Sequence, residues 1–372
     1  MKRIFTFIIV LLFLLTACGQ TNGSAQEIDK SDESNESKLN VITTVFAPYD
    51  FAKEILGDKA NVSMLTSPGA ETHSYEPTPK DIIRIQNCDV FIYVGGESDA
   101  WVDDILASMD TEKIEIITLI DCVPTVEEEI VEGMEHNHGH DEHDDHEHDN
   151  HGHDEHDDHE HDDHGHDEHD DHEHDEHDDH EHDEHGHDEH DKNEDESKID
   201  EHVWTSPKNA KLIVEKISSV FRELDAENSA EYESNTAEYI LKLDELDAKF
   251  QDVVDNAARK TIILGDRFPF RYFVDAYELS YFAAFPGCSD ETEASAATIA
   301  FLIDKVKDEN IPVVFHAEMS NKKMAEVIGE SANAEVLLLH SCHNVSKDEL
   351  ESGATYLNLM NQNVENLRKA LK

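Results

Sequence analysis

Basic side chains are scarce in this chain: 29 lysines and arginines stand against 87 aspartates and glutamates in 372 residues, a formal net charge of −58. Binding a phosphate backbone needs cationic groups to displace counterions, so nucleic acid is excluded as a partner and cations become the natural ones. Long apolar runs are missing too. The one at residues 4–15 is short for a membrane span. No nucleophile elbow, phosphate-binding loop or HExxH pattern occurs, which leaves catalysis without residues to carry it, and the chain is read as a non-enzyme.

What is abundant is histidine, and all but five of the 27 lie between His136 and His190. Between Met134 and Lys198 they are interleaved with 32 acidic residues and not one apolar side chain. With nothing to bury, the entropy of ordering such a segment is not offset, so it is expected to be disordered. Its HDEHDDHE period lacks the apolar position a stacked repeat needs, which marks low-complexity replication instead of a solenoid. Imidazole and carboxylate are the ligands that borderline divalent ions take, so the tract reads as a loose, multi-site binder of an ion such as Zn²⁺.

Residues 1–18 carry Lys2 and Arg3, the apolar run, then Leu15-Thr16-Ala17-Cys18. Small residues ahead of a cysteine resemble a bacterial lipoprotein signal, which implies lipidation at Cys18 and an anchor on the outer face of the cell membrane. Residues 19–38 are polar and suit a tether. From Leu39 short β-branched runs alternate with helical patterns: four β/α units before the tract, two long helical patterns at 207–224 and about 226–256, then four more β/α units from Thr261. The expected architecture is α/β, two doubly wound parallel-sheet lobes at 39–206 and 257–372 joined through a helical connector at 207–256, with 134–198 inserted in a loop of the first.

In open α/β sheets ligands gather beyond the carboxyl ends of the strands. His73 follows the strand expected at 61–65, His340 and His343 follow that at 335–339, and His202 lies where the chain re-enters the fold. Histidines from two sheets are thus placed to face one cleft. Beyond Cys18 there are four cysteines, two per lobe, which favours the disulfides Cys88–Cys122 and Cys288–Cys342 in an exported protein; thiolate binding of a soft metal by Cys288 and Cys342 is the alternative.

Three segments carry a family resemblance: Thr43-Thr44-Val45-Phe46 with Tyr49-Asp50; His73-Ser74-Tyr75-Glu76-Pro77-Thr78-Pro79-Lys80-Asp81; and His202-Val203-Trp204-Thr205-Ser206-Pro207. Together with Tyr356-Leu357, Met360 and Asn363 and the histidine-rich insertion, they resemble the metal-binding lipoproteins of zinc and manganese ABC importers, the zinc branch in particular. The resemblance implies a two-lobed, monomeric, extracytoplasmic protein that binds one Zn²⁺ between its lobes and passes it to a permease driven by a separate ATPase. It carries His73 and His202 over as ligands. The third family ligand, a histidine, falls on Arg267, which cannot coordinate a metal. Asp266 beside it is the substitute donor. The fourth falls near Ser341-Cys342-His343-Asn344, with His343 the candidate and His340 the reserve. Glu76 is either a partner of a ligand histidine or a solvated loop carboxylate. A manganese or iron carrier, a surface metal store or an adhesin are the alternatives within reach of the same residues, and a zinc hydrolase is a further one.

Overall fold

The structure is a computed structural model that describes residues 38–71, 75–134, 198–289 and 294–372. Cys18, His73 and the histidine-rich tract lie outside the described residues. The first lobe runs β1 (Leu39–Thr43), α1 (Phe46–Leu56), β2 (Ala60–Met64), α2 (Pro79–Gln86), β3 (Val90–Tyr93), α3 (Ala100–Ser108) and β4 (Glu115–Thr118). Two helices follow, α4 (Pro207–Leu224) and α5 (Ser229–Asp255). The second lobe runs β5 (Thr261–Phe268), α6 (Arg271–Tyr277), β6 (Ser280–Pro286), α7 (Ala296–Asp308), β7 (Val313–His316), α8 (Lys323–Ala332), β8 (Glu335–Leu338), α9 (Lys347–Glu351) and α10 (Tyr356–Ala370).

Both sheets are wholly parallel and share one topology, β2-β1-β3-β4 and β6-β5-β7-β8. In each, the chain leaves the first strand to one side and returns on the other. The crevice at that reversal is where doubly wound sheets bind ligands. The helices start where the side chains say they should. Thr78 caps α2 in a reciprocal box with Asp81, and Pro79 occupies its first turn. Pro207 opens α4 in the same way, and Ile213, Ile217, Val220 and Phe221 line its buried face.

One apolar cluster is continuous through both lobes, from Val41, Phe46 and Phe51 through Phe221, Tyr239 and Phe250 to Ile262, Phe315 and Tyr356. Each sheet packs its other face on a separate cluster, Ile42, Ile85 and Phe91 in the first lobe and Ile263, Phe285 and Leu302 in the second. The lobes therefore share a core. α4 and α5 supply much of it, and α5 packs against α1 of the first lobe and α6 and α10 of the second.

Two expectations change. β5 continues four residues past Leu264, through a register irregularity between Leu264 and Arg267 that carries Asp266 and Arg267 along the strand end. The four cysteines are free thiols, so neither Cys88–Cys122 nor Cys288–Cys342 is formed. Cys88 packs in the first lobe's outer cluster while Cys122 packs on the shared core. Cys342 is enclosed in the shared core, and Cys288 lies beside the carboxylates of Glu201, Asp200 and Glu128. Burial pushes the Cys88 thiol up to about 12 and the Cys122 thiol to about 11, so both stay protonated and unreactive.

Candidate metal centre

His202 precedes a short 3-10 turn, Val203–Thr205, and is fully buried. Asp200 fixes its ring: Oδ1 accepts the His202 backbone N–H at 2.8 Å and lies 3.2 Å from ring Nδ1. A carboxylate only accepts, so Nδ1 carries the proton and the lone pair of the neutral imidazole sits at Nε2. Asp200 is held in turn. Its carbonyl accepts the Tyr272 hydroxyl at 2.8 Å, and its N–H donates to the Val126 carbonyl at 3.0 Å. Gly287 lies against the pair, where a Cβ would stand 3.3 Å from both Asp200 Oδ2 and His202 Cε1 and 2.9 Å from the Phe268 carbonyl. Burial disfavours the charged imidazole, but Asp200, Glu201 and Glu128 outweigh it and raise the His202 pKa above the ordinary value.

His343 comes from the other lobe, on the loop after β8, with 9% of its surface exposed. Its ring centroid is 5.2 Å from that of His202 with the planes nearly perpendicular. Trp204 walls in both rings, 5.8 Å from His202 and 5.2 Å from His343, and its indole N–H donates to the Ser341 carbonyl at 2.8 Å. The two imidazoles that the chain separates by 141 positions are thus brought together in a desolvated pocket.

Against His343 opens a cavity of about 220 Å³, walled in part by Glu71, Asp266, Arg267, Glu318 and Ser341. Asp266 lines it with each carboxylate oxygen accepting one backbone N–H, from Arg267 at 2.9 Å and Ala317 at 3.3 Å. Arg267 reaches across to the first lobe and pairs with Glu71, both guanidinium nitrogens at 3.4 Å. Among the described residues no group of three or more histidines, cysteines or acids converges tightly enough to hold an ion. His202 and His343 are thus a pair of neighbouring imidazoles, and His73, the other histidine expected at the site, lies outside the described residues.

The segment at 67–70 is tied to the loop of His343. The buried Asn344 side chain donates to the carbonyls of Ser67 at 2.9 Å and Ala70 at 2.8 Å. Gly69 N–H donates to the Val345 carbonyl at 2.8 Å and Phe46 N–H to the His343 carbonyl at 2.9 Å. The other described histidines serve elsewhere. His340 is buried and its Nδ1 accepts the Cys342 N–H at 2.9 Å, while His316 ends β7 with Nδ1 donating to the Ala317 carbonyl at 2.8 Å. Glu76 is exposed. Asp200, Gly287, Glu318 and Asn344 were given no role from sequence; Asp200, two positions before His202, and Asn344, next to His343, lie close enough in the chain to have been noticed, whereas Gly287 and Glu318 do not.

The side-chain chemistry suits a borderline dication: two buried imidazoles, His202 oriented by a carboxylate and His343 lining a polar cavity. Over residues 41–370 the chain matches the family described as zinc-uptake complex component A, periplasmic. The high-affinity zinc uptake system protein ZnuA of Bacillus subtilis (strain 168) is 30% identical over 368 residues, 98% of this chain and 96% of that one. The zinc-binding lipoprotein AdcA of Streptococcus pneumoniae (strain R6) is 27% identical over 337 residues, and the chain spans 90% of itself but 56% of that longer protein. Among solved structures, the metal-dependent lipoprotein YcdH from Bacillus subtilis superposes with a TM-score of 0.64 at 26% identity, covering 90% of this chain and 99% of that one. The Zn(II)-bound ZnuA-like domain of Streptococcus pneumoniae AdcA has the same fold, with a TM-score of 0.63 at 24% identity over 90% of this chain and 99% of that one. With two parallel-sheet lobes, a histidine pair between them and a match along nearly its whole described length, the chain belongs to the family of the periplasmic component A of zinc-uptake complexes.

Proposed function

We propose that this chain is an extracytoplasmic solute-binding protein that captures Zn²⁺ in the cleft between its lobes and delivers it to an ABC permease powered by a separate ATPase, with no catalytic role of its own. The observation that carries the reading is the meeting of His202 and His343 from opposite lobes, 5.2 Å apart between centroids. We assign His73, His202 and His343 as the nitrogen donors. Asp266, which does not converge with the two histidines here, is assigned as a fourth donor that closes on the ion as it binds, since each of its oxygens spends one lone pair on a backbone N–H and keeps another. Cys18 is assigned as the lipid attachment point that keeps the protein at the outer membrane face, and the histidine-rich tract as a weaker reservoir that supplies the cleft.

A shared core works against independent swinging of the lobes. Loading and release are therefore assigned to the loops that carry the donors, whose loosening at the permease weakens the hold on the ion. Disrupting the gene tests the function directly: growth should fail in chelator-treated medium and return on adding zinc but not manganese. Unimpaired growth without zinc supplementation would turn the reading toward storage or adhesion.

A further inference from the structure

Glu318 stands at the turn after β7, on none of the segments that carry a candidate donor, yet the loop of His343 is wound around its carboxylate. Oε2 accepts the Ser341 N–H at 2.7 Å. Oε1 accepts the Ser341 hydroxyl at 2.5 Å and the His343 N–H at 3.0 Å. The intervening amide, that of Cys342, turns the other way and donates to His340 Nδ1, with Cys342 in the left-handed region at φ 61°. Alternate amides pointing inward around a left-handed residue form a concave anion-binding surface, and here the anion is a side chain of the protein itself. The carboxylate is 5% exposed, so these bonds are made in a poorly solvated setting where charge-assisted bonds are strong. His340 lies 3.7 Å from Oε1 and completes the enclosure.

We infer that Glu318 is the positioning residue for His343: its carboxylate folds residues 341–343 into the one conformation that presents the imidazole to His202. Resting on the zinc reading above, the inference adds a dependence that the ligand residues do not share. What the loop requires is a carboxylate at this place, and the covalent link to position 318 is incidental. Glu318 also walls the cavity beside His343, so an ion from solution can reach the place its side chain leaves.

The test uses the full-length protein, with the affinity of its tightest zinc site read by competition with a fluorescent chelator. Glu318→Gln keeps the size, removes the charge and one acceptor oxygen, and is expected to weaken that site about 10- to 100-fold. Glu318→Ala is expected to weaken it at least as much and to regain most of the loss, saturably, in tens of millimolar formate but not chloride. His343→Ala should be equally weak and indifferent to formate. Zinc affinity of Glu318→Gln within twofold of wild type overturns the inference, as does a folded Glu318→Ala protein that formate does not restore. If Glu318→Ala fails to fold, Glu318→Gln alone decides. Should His343→Ala bind zinc as wild type does, the zinc assignment of His343 falls, and that outcome is separate from the behaviour of the Glu318 variants.

Discussion

At the scale of single residues, the site depends on carboxylates that face protein groups. Asp200 sets the tautomer of His202, and Asp200→Asn, which can present either an oxygen or an amide to Nδ1, loses that selection. Zinc affinity at the cleft is expected to fall about 10- to 100-fold with little change in unfolding midpoint, as chelator competition and urea titration would show. Asp50 is a different case. It sits on the buried face of α1, accepts the Tyr356 N–H at 2.9 Å, and burial raises its pKa from 3.8 to about 7. A carboxyl whose folded pKa is raised stabilises the fold below its unfolded pKa, and that contribution is lost as pH rises through the folded value. Between pH 4 and pH 7 Asp50 therefore works against stability as the pH climbs. In Asp50→Asn the amide oxygen still accepts the Tyr356 N–H without ionising, so urea midpoints measured from pH 5 to pH 8 should decline less steeply than in wild type. An unchanged slope would show that Asp50 does not titrate in this range. Of these roles, sequence showed the histidines and hid their supports. His202 and His343 stand out as chemistry-bearing types at strand ends, whereas Glu318 and Asn344 gain meaning only from partners on other segments.

At the scale of elements, the alternation of short β-branched runs with helical patterns was enough to locate eight strands and nearly all the helices. α4 was legible to its ends because Ser206-Pro207 starts it and its apolar positions recur at helical spacing. α9 was missed, although Ser346 and Glu349 form a capping box that its S-x-x-E spacing announces; five residues are too few for a periodicity to register. The length of β5 was underestimated because Gly265 and Asp266 have poor strand propensity and fall in the register irregularity, beyond which Arg267 and Phe268 pair with β6 again. The cysteine pairing failed for a related reason: a count of thiols per lobe does not say which face of a sheet each one occupies. What no local pattern could foresee is the staple between loops. Asn344→Ala removes both hydrogen bonds to the segment at 67–70, and an unfolding midpoint corresponding to a loss of about 2 kcal/mol is expected by urea titration, with zinc affinity reduced as that segment comes loose from the loop of His343. A variant as stable as wild type would mean that the remaining backbone bonds suffice.

At the scale of the whole molecule, the acidic surplus, the histidine-rich insertion and the cleft describe one purpose. The net charge draws dications toward the surface. In the proposed function the tract supplies many weak positions, and the cleft one tight site assembled from parts of the chain far apart in sequence. The two sets of binding positions are separable in this account, because the described residues on either side of the tract already build one core through both lobes. The most direct measurement is a zinc titration of protein lacking residues 135–197, with and without alanine at both His73 and His202. One tight equivalent in the shortened protein, abolished by the double substitution, is the result expected; stoichiometric tight binding that survives the loss of both histidines would contradict the account.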